Sequence, residues 1–303
     1  MNLLKLSVLV YIEKYKKVTD VAKELQMKQP TVTFHMKSLE EEMGISLFES
    51  KRGRILLTDA GKALYPYALK MTNMAVEAKK AVQDYTDLNK GILSIGADCM
   101  TGTYRLPDII SQFCSQYPGV QVHMTVKPTR QIQEMLYNHD VDFAFYSTQD
   151  SAANTITEEL LWKDELMVIF GKGHTFSNLK ALTPQLIAQH FFIQHSPGSF
   201  IKDFTRTYAI QNHIHLWERM VLDSPEAVKL MVQTGEYISF FAASGIEREL
   251  SSGTLYSLPI PDRAGAQFKT VLAFPADQSF SPLKERFKQF VQDQIQQNIT
   301  KKP

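Results

Sequence analysis

The chain has 303 residues, 44% of them apolar and 21% charged, with a formal net charge of +1. That is an ordinary soluble composition with room for two or three domains, and two cysteines, Cys99 and Cys114, are too few for a disulfide framework. No uninterrupted apolar run approaches the ~18 residues that cross a bilayer and no signal peptide is visible, so a cytoplasmic protein without membrane contact is expected.

Residues 18–42, VTDVAKELQMKQPTVTFHMKSLEEE, read as two short helices joined by a tight turn. Val18, Val21, Ala22 and Leu25 recur at helical spacing in the first, with Thr19 or Asp20 available as its cap. Gln26, Met27 and Lys28 make the turn. Pro30 sits where a helix starts well, because its missing N–H would be unpaired there anyway. The second helix turns Val32, Met36 and Leu39 inward and leaves Gln29, Thr31, Thr33, Phe34, His35 and Lys37 on or near its outward face. This is a helix-turn-helix pattern with a polar, basic reading face. Lys51-Arg52-Gly53-Arg54 is a basic turn leading into Ile55 to Thr58, a short hairpin or wing whose three cations reach phosphates or a minor groove.

Residues 59–88 read as one long helix. Ala60, Ala63, Leu64, Tyr67, Ala68, Met71, Ala75, Ala78, Val82 and Tyr85 form a stripe that is expected to pair with a second copy, since no neighbouring domain covers it. Pro66 is expected to bend it slightly. Beyond residue 91, strand and helix patterns alternate. Strands are expected at 92–96, 120–126, 141–146, 166–170, 191–194, 217–222, 237–241 and 270–274. Helices are expected at 106–116, 131–138, 184–189, 199–211, 225–234, 243–250 and 281–297. Such alternation indicates α/β units on a mostly parallel sheet. Residues 1–90 carry 15 Lys and Arg against 11 Asp and Glu, and residues 91–303 carry 18 against 21. A mildly basic amino-terminal part on a mildly acidic body permits DNA binding by the former.

The amino-terminal stretch resembles the DNA-binding domain of LysR-type transcriptional regulators. LLKLSVLVYIEKY looks like the family's first helix, with Leu3, Leu6, Leu9, Val10 and Ile12 as its core stripe. Lys28-Gln29-Pro30-Thr31-Val32-Thr33 is similar to the signature Ser-Gln-Pro-Ala-x-Ser. Leu39-Glu40, Met43-Gly44 and Leu47-Phe48-Glu49 match the run into the wing, and Thr58-Asp59-Ala60-Gly61 the start of the linker helix. Lys28 and Thr33 stand where the family has serine and Phe34 where many members carry arginine, so the base preference is expected to differ there. The resemblance implies a winged helix-turn-helix domain at 1–58, a linker and dimerisation helix at 59–90, and an effector-binding domain at 91–303. The last is built like a periplasmic binding protein, with lobe I at about 91–163 and 268–303 and lobe II at about 164–267. The chain crosses between lobes near 162–166 and 264–270.

The resemblance further implies a sequence-specific regulator, activator or repressor, that binds promoter DNA, forms a dimer and then a tetramer, touches RNA polymerase and responds to a small effector. Gln29, Pro30, Thr31 and Thr33 would contact base edges, His35 and Lys37 follow as secondary contacts, and Lys28, Lys51, Arg52 and Arg54 would take phosphates or the minor groove.

Ligands of open α/β sheets bind outside the carboxyl ends of the strands. Those ends are Asp98, Cys99, Met100, Thr101, Gly102 and Thr103, then Thr129 and Arg130, Ser147 and Thr148, His195, Ser196 and Ser199, and Asp223 and Ser224. Thr101, Thr103, Thr129, Ser147, Ser196 and Ser199 offer hydroxyls and Arg130 a carboxylate partner. The alternative for each hydroxyl is a helix cap. The helix beginning near Tyr104 has free N–H groups that favour an anion, whereas Asp98, where the family often has a small neutral residue, would repel one or greet an amine. Cys99 at a helix start would tend toward thiolate, which leaves open a redox- or thiol-responsive regulator. A DNA-binding protein of the same fold with no effector is the other alternative. His213 and His215 would share one face of an extended segment, but no Cys or carboxylate lies at ligand spacing beside them, so neither metal nor cofactor is expected. No nucleophile elbow, P-loop, dinucleotide fingerprint or zinc-protease motif is present, so an enzyme is not expected.

Overall fold

A computed structural model describes residues 1–83, 90–149, 155–261, 266–276 and 280–300. The expected end of the long helix, with Tyr85, lies outside them. Two compact units are present and are taken separately.

In the amino-terminal unit, α1 (Leu3–Tyr15), α2 (Val18–Glu24) and α3 (Gln29–Met43) surround a core of Leu6, Val8, Leu9, Ile12, Val21, Ala22, Val32, Met36 and Leu39. Leu3, expected in that core, is half exposed, and Val8 takes its place. Asn2 caps α1 by accepting from the Lys5 amide at 3.0 Å. Thr19 and Asp20 do not cap α2; the helix starts at Val18 and both sit in its first turn. β1 (Phe48–Lys51) and β2 (Arg54–Leu57) form the wing, turning through Arg52 and Gly53, both at positive φ (51° and 73°). Two positive-φ residues give the turn whose twist matches an antiparallel hairpin. Glu40 braces the approach from α3, its Oε1 accepting from the amides of Leu47 (2.8 Å) and Phe48 (3.1 Å).

α4 (Asp59–Gln83) continues through Pro66 for 25 residues. Its stripe is not wholly uncovered: Ala68 is buried in the core of this unit and Ala60 and Leu64 pack against it, because α4 lies on α1. Tyr67, Met71, Met74 and Val82 remain exposed. Gly61 marks the tightest approach. A Cβ there would lie 2.3 Å from the Leu47 carbonyl oxygen, a backbone atom. Gly61→Ala is therefore expected to lower the stability of this unit by about 1–3 kcal/mol, read by thermal unfolding of the full chain; an unchanged transition would mean that α4 does not hold the wing.

In the second unit, β3 (Gly91–Ala97), α5 (Cys99–Tyr104), α6 (Leu106–Gln116), β4 (Val120–Val126), α7 (Thr129–Tyr137) and β5 (Phe143–Thr148) begin a first lobe. β6 (Ile156–Gly171) leads into a second, with α8 (Pro184–Ile187), β7 (Phe191–His195), α9 (Phe200–Gln211), β8 (Trp217–Leu222), α10 (Pro225–Val232), β9 (Ile238–Ala242), α11 (Glu247–Ser252) and β10 (Leu255–Pro259). β11 (Gln267–Pro275) and α12 (Pro282–Thr300) return to the first. The strand order is β4-β3-β5-β11-β6-β9-β7-β8, with β10 on β6.

The sheet is mixed rather than mostly parallel. β3 pairs parallel with β4 and β5, and β7 with β8 and β9, but β11 and β6 are antiparallel to each other and to their other neighbours. β6 is 16 residues long: its first part pairs with β11 from Ile156 to Glu165, its second with β9 from Leu166 to Phe170. The chain thus passes between lobes at Glu165–Leu166 and Ala266–Gln267, where the Leu166 amide donates to the Ala266 carbonyl at 2.8 Å. The two cores are separate. Leu93, Ile95, Phe113, Phe143, Phe145 and Phe287 fill the first lobe, and Val168, Phe170, Phe192, Phe204 and Phe240 the second. His213 lies not in an extended segment but in a turn at φ 52° after α9, so it and His215 do not share a strand face.

Candidate functional site

On α3, Gln29, Pro30, Thr31, Thr33, Phe34 and Lys37 are exposed, as are Lys28, Lys51, Arg52 and Arg54. Lys28 is the backbone cap of the helix. Thr33 turns its hydroxyl back along the helix and donates to the Gln29 carbonyl at 3.2 Å, so its proton is already engaged. His35 is half-buried, its Nδ1 enclosed without a partner. Lys51 pairs with Glu49 at 2.7 Å, an exposed contact of little energetic weight.

The strand ends of the second unit converge on one pocket between its lobes, a narrow cleft with a free volume of about 20 Å³. Asp98, Cys99, Met100, Thr129 and Ser147 line it from the first lobe, and His195, Ser196, Ser199 and Asp223 from the second. Arg130, Thr148 and Gly198 line an adjoining hollow that shares Thr129, Ser147 and Phe200. Arg130 bridges the lobes on this side through Asp203 at 3.0 Å.

Thr101, Gly102, Thr103 and Ser224 do not line it. Thr101 is buried and Thr103 exposed. Gly102 is a packing residue, since a Cβ there would meet Val126 Cγ2 at 2.8 Å. Ser224 caps α10, accepting from the Ala227 amide at 3.4 Å. The apolar wall of Phe200, Ile201, Ala242 and Phe268 was not foreseen. Phe268 lay just ahead of the expected final strand, which in fact begins at Gln267.

Asp98 does not stand free at the mouth, because both of its carboxylate oxygens are engaged by backbone amides. It is buried, and its Oδ1 accepts from the Thr101 amide (2.7 Å) while Oδ2 accepts from the Ser147 amide (2.6 Å). The helix expected to begin near Tyr104 is preceded by another at Cys99–Tyr104, and the Asp98 carboxylate caps its start. Cys99 is corrected with it: burial first, then the carboxylates of Asp98 and Asp223, push its thiol above the usual range, so it is held protonated rather than poised as thiolate. His195 is buried, and burial pushes its imidazole down to about 4. Its Nε2 lies 2.9 Å from the Phe240 carbonyl, which can only accept, so Nε2 carries the proton and Nδ1 is left as an acceptor. Ser199 is spent as a cap, accepting from the Lys202 amide and donating to the Ser196 carbonyl. Ser147 differs: it is 3% exposed, yet its Oγ has no partner.

Two family models cover most of the chain. Residues 3–62 match the bacterial regulatory helix-turn-helix protein, lysR family, and residues 86–296 the LysR substrate binding domain. The chain belongs to the LysR family of transcription regulators. The regulator is 32% identical over 240 residues to a probable RuBisCO transcriptional regulator of Cyanophora paradoxa, covering 78% of this chain and 74% of that one. Its fold is that of full-length CbnR complexed with its target DNA (TM-score 0.67, 17% identity, 97% of this chain and 99% of that). It is also similar to the regulatory domain of Synechocystis PCC6803 CcmR in complex with 2-PG (TM-score 0.62, 19% identity, 67% of this chain and 97% of that). Among the described residues of the regulator, no helix is long and apolar enough to cross a membrane.

Proposed function

We propose that this regulator reads double-stranded DNA through α3 and the wing, pairs with a second copy along α4, and is switched by a small polar effector between the lobes of its second unit. The division into 1–58, 59–90 and 91–303 is part of this reading. Gln29, Pro30, Thr31 and Lys37 face base edges, and Lys28, Lys51, Arg52 and Arg54 face phosphates or a minor groove. Exposed Tyr67, Met71 and Val82 on α4 supply the apolar surface for pairing, and a pair presents two reading helices to two half-sites. Assembly into a tetramer and contact with RNA polymerase are expectations of the same kind, as are a cytoplasmic location and the absence of enzymatic activity.

One observation carries the effector: the Ser147 hydroxyl is buried, lacks a partner and lines a pocket built from both lobes. A buried polar group without a partner costs about 1–3 kcal/mol, and a ligand that supplies an acceptor recovers it. With Thr129 and Ser196 offering further hydroxyls, neutral His195 an acceptor, and Met100, Phe200 and Phe268 an apolar wall, the pocket carries the groups that hold a small hydrogen-bonding metabolite, and the adjoining hollow of about 290 Å³, which shares Thr129, Ser147 and Phe200, supplies the room for it. The CcmR regulatory domain, of the same fold, was solved with 2-PG. Such a ligand switches the protein only by binding one lobe arrangement better than another.

The test is a thermal-shift screen of small carboxylated and phosphorylated metabolites on the full chain and on Ser147→Ala. The variant is expected to melt at the same temperature or higher without ligand, because the orphaned hydroxyl is gone, and to bind the active compound at least ~10-fold more weakly. Equal binding by both proteins would refute the assignment.

A further inference from the structure

Phe34 exposes 64% of its surface. It sits two residues after buried Val32, about 200° around the helix axis, and so lies opposite the face that Val32, Met36 and Leu39 bury. Pro30 precedes it by a turn and Lys37 follows by a turn, which puts the phenyl ring at the centre of the outward face of α3. Apart from the apolar ring of Pro30, its neighbours there have another chemistry: Gln29 an amide, Thr31 and Thr33 hydroxyls, Lys37 an amine. The His35 ring lies beside it, with centroids 5.6 Å apart and planes at 66°.

A phenyl group has neither donor nor acceptor, so it makes no hydrogen bond to a base edge and no ion pair with a phosphate. The major groove nonetheless offers one apolar feature, the C5-methyl group of thymine. Resting on the proposed DNA-reading role of α3, we infer that Phe34 is a specificity-determining residue that reads a thymine methyl group in the major groove. The contact adds sequence discrimination without adding charge. It therefore selects among duplexes and leaves the phosphate-driven share of affinity untouched.

The methyl group can be removed without disturbing base pairing, by replacing thymine with uracil. Full-length protein would be used to enrich a duplex from a randomised pool, and each thymine of the enriched duplex would then be replaced singly by deoxyuridine. Binding would be titrated with the wild type, with Phe34→Ala and with Phe34→Leu, each first checked for an unchanged thermal transition. At least one thymine is expected at which demethylation weakens the wild type about fourfold, the worth of burying one methyl group. Phe34→Ala is expected to bind the thymine and uracil duplexes alike, with the slope of affinity against salt equal to that of the wild type. Phe34→Leu retains an apolar contact and is expected to keep part of the discrimination. If no uracil substitution weakens the wild type, or Phe34→Ala keeps the full penalty, the inference is overturned while the DNA-reading role stands. A change in the sedimentation coefficient of Phe34→Ala without DNA would overturn it too, by assigning the ring to a protein contact. If the pool yields no enriched duplex at all, the DNA-reading role fails and takes this inference with it.

Discussion

Replacing Lys229 with methionine is expected to destabilise the second unit by about 3–5 kcal/mol, the cost of stranding a buried charge. Lys229 is 3% exposed, and its Nζ lies 2.6 Å from Glu249 Oε1, 2.9 Å from Glu226 Oε1 and 3.3 Å from the Gly245 carbonyl. The three partners are not equivalent. Glu226 is more than half exposed and turns to water once the ammonium is gone. Glu249 is largely enclosed, and its Oε2 already lacks a partner. The double variant Lys229→Met/Glu249→Met is therefore expected to recover most of the loss, because the pair is removed rather than broken. Urea unfolding of wild type, both single variants and the double variant checks this; additive losses would show that the two residues do not share their energy. The ammonium also stands over the Tyr104 ring at 4.6 Å, and Tyr104 and Met100 of the first lobe pack against the cluster of Ile193, Val228 and Phe241 in the second. The variant should thus weaken ligand binding as well as stability.

Acidification is the second large effect. His195 titrates at about 4 in the folded chain and near 6.5 when unfolded. Between those values the unfolded chain binds the proton and the folded chain does not, so stability rises with pH across the window and falls as pH drops through it. The contribution is complete above pH 6.5 and amounts to about 3 kcal/mol, at 1.36 kcal/mol per unit. His174, also held near 4 by burial and by its neighbour His190, acts in the same direction. The rings of His174 and His190 are 4.7 Å apart, and burial lowers His190 too. Unfolding midpoints measured from pH 7 to pH 4 are expected to fall steeply below 6.5. His195→Asn should flatten part of that slope, and an equal slope in the variant would exclude His195 as its source.

The elements that stood out in the sequence are those whose pattern is settled locally. α6 and β4 occupy the expected residues because each shows one clear period between firm breakers. The first part of β6 shows none: Glu158, Glu159, Lys163, Asp164 and Glu165 crowd a strand whose place is fixed by β11, about a hundred residues later. β10 was missed for a similar reason, since it exists by pairing with the second part of β6. Within the site, the strand-end rule located the pocket but could not divide the hydroxyls. Ser199 and Ser224 are caps and Ser147 is not, and the difference rests on the partners each one finds. Asp98 was misread because one of its partners, the Ser147 amide, is 49 residues away.

The return of β11 and α12 to the first lobe also orders events during synthesis. The second lobe is an insertion, so all its strands have emerged while the first still lacks β11 and the helix that closes it. Phe287 on α12 packs against Phe113 at 5.0 Å and Phe143 at 5.5 Å. At ~5–20 residues per second, the 28 residues from Pro259 to Phe287 leave those rings uncovered for about 1–6 s after the last strand of the second lobe is made. The first lobe to start is the last to finish, and its unclosed core is the surface that a nascent-chain chaperone would meet.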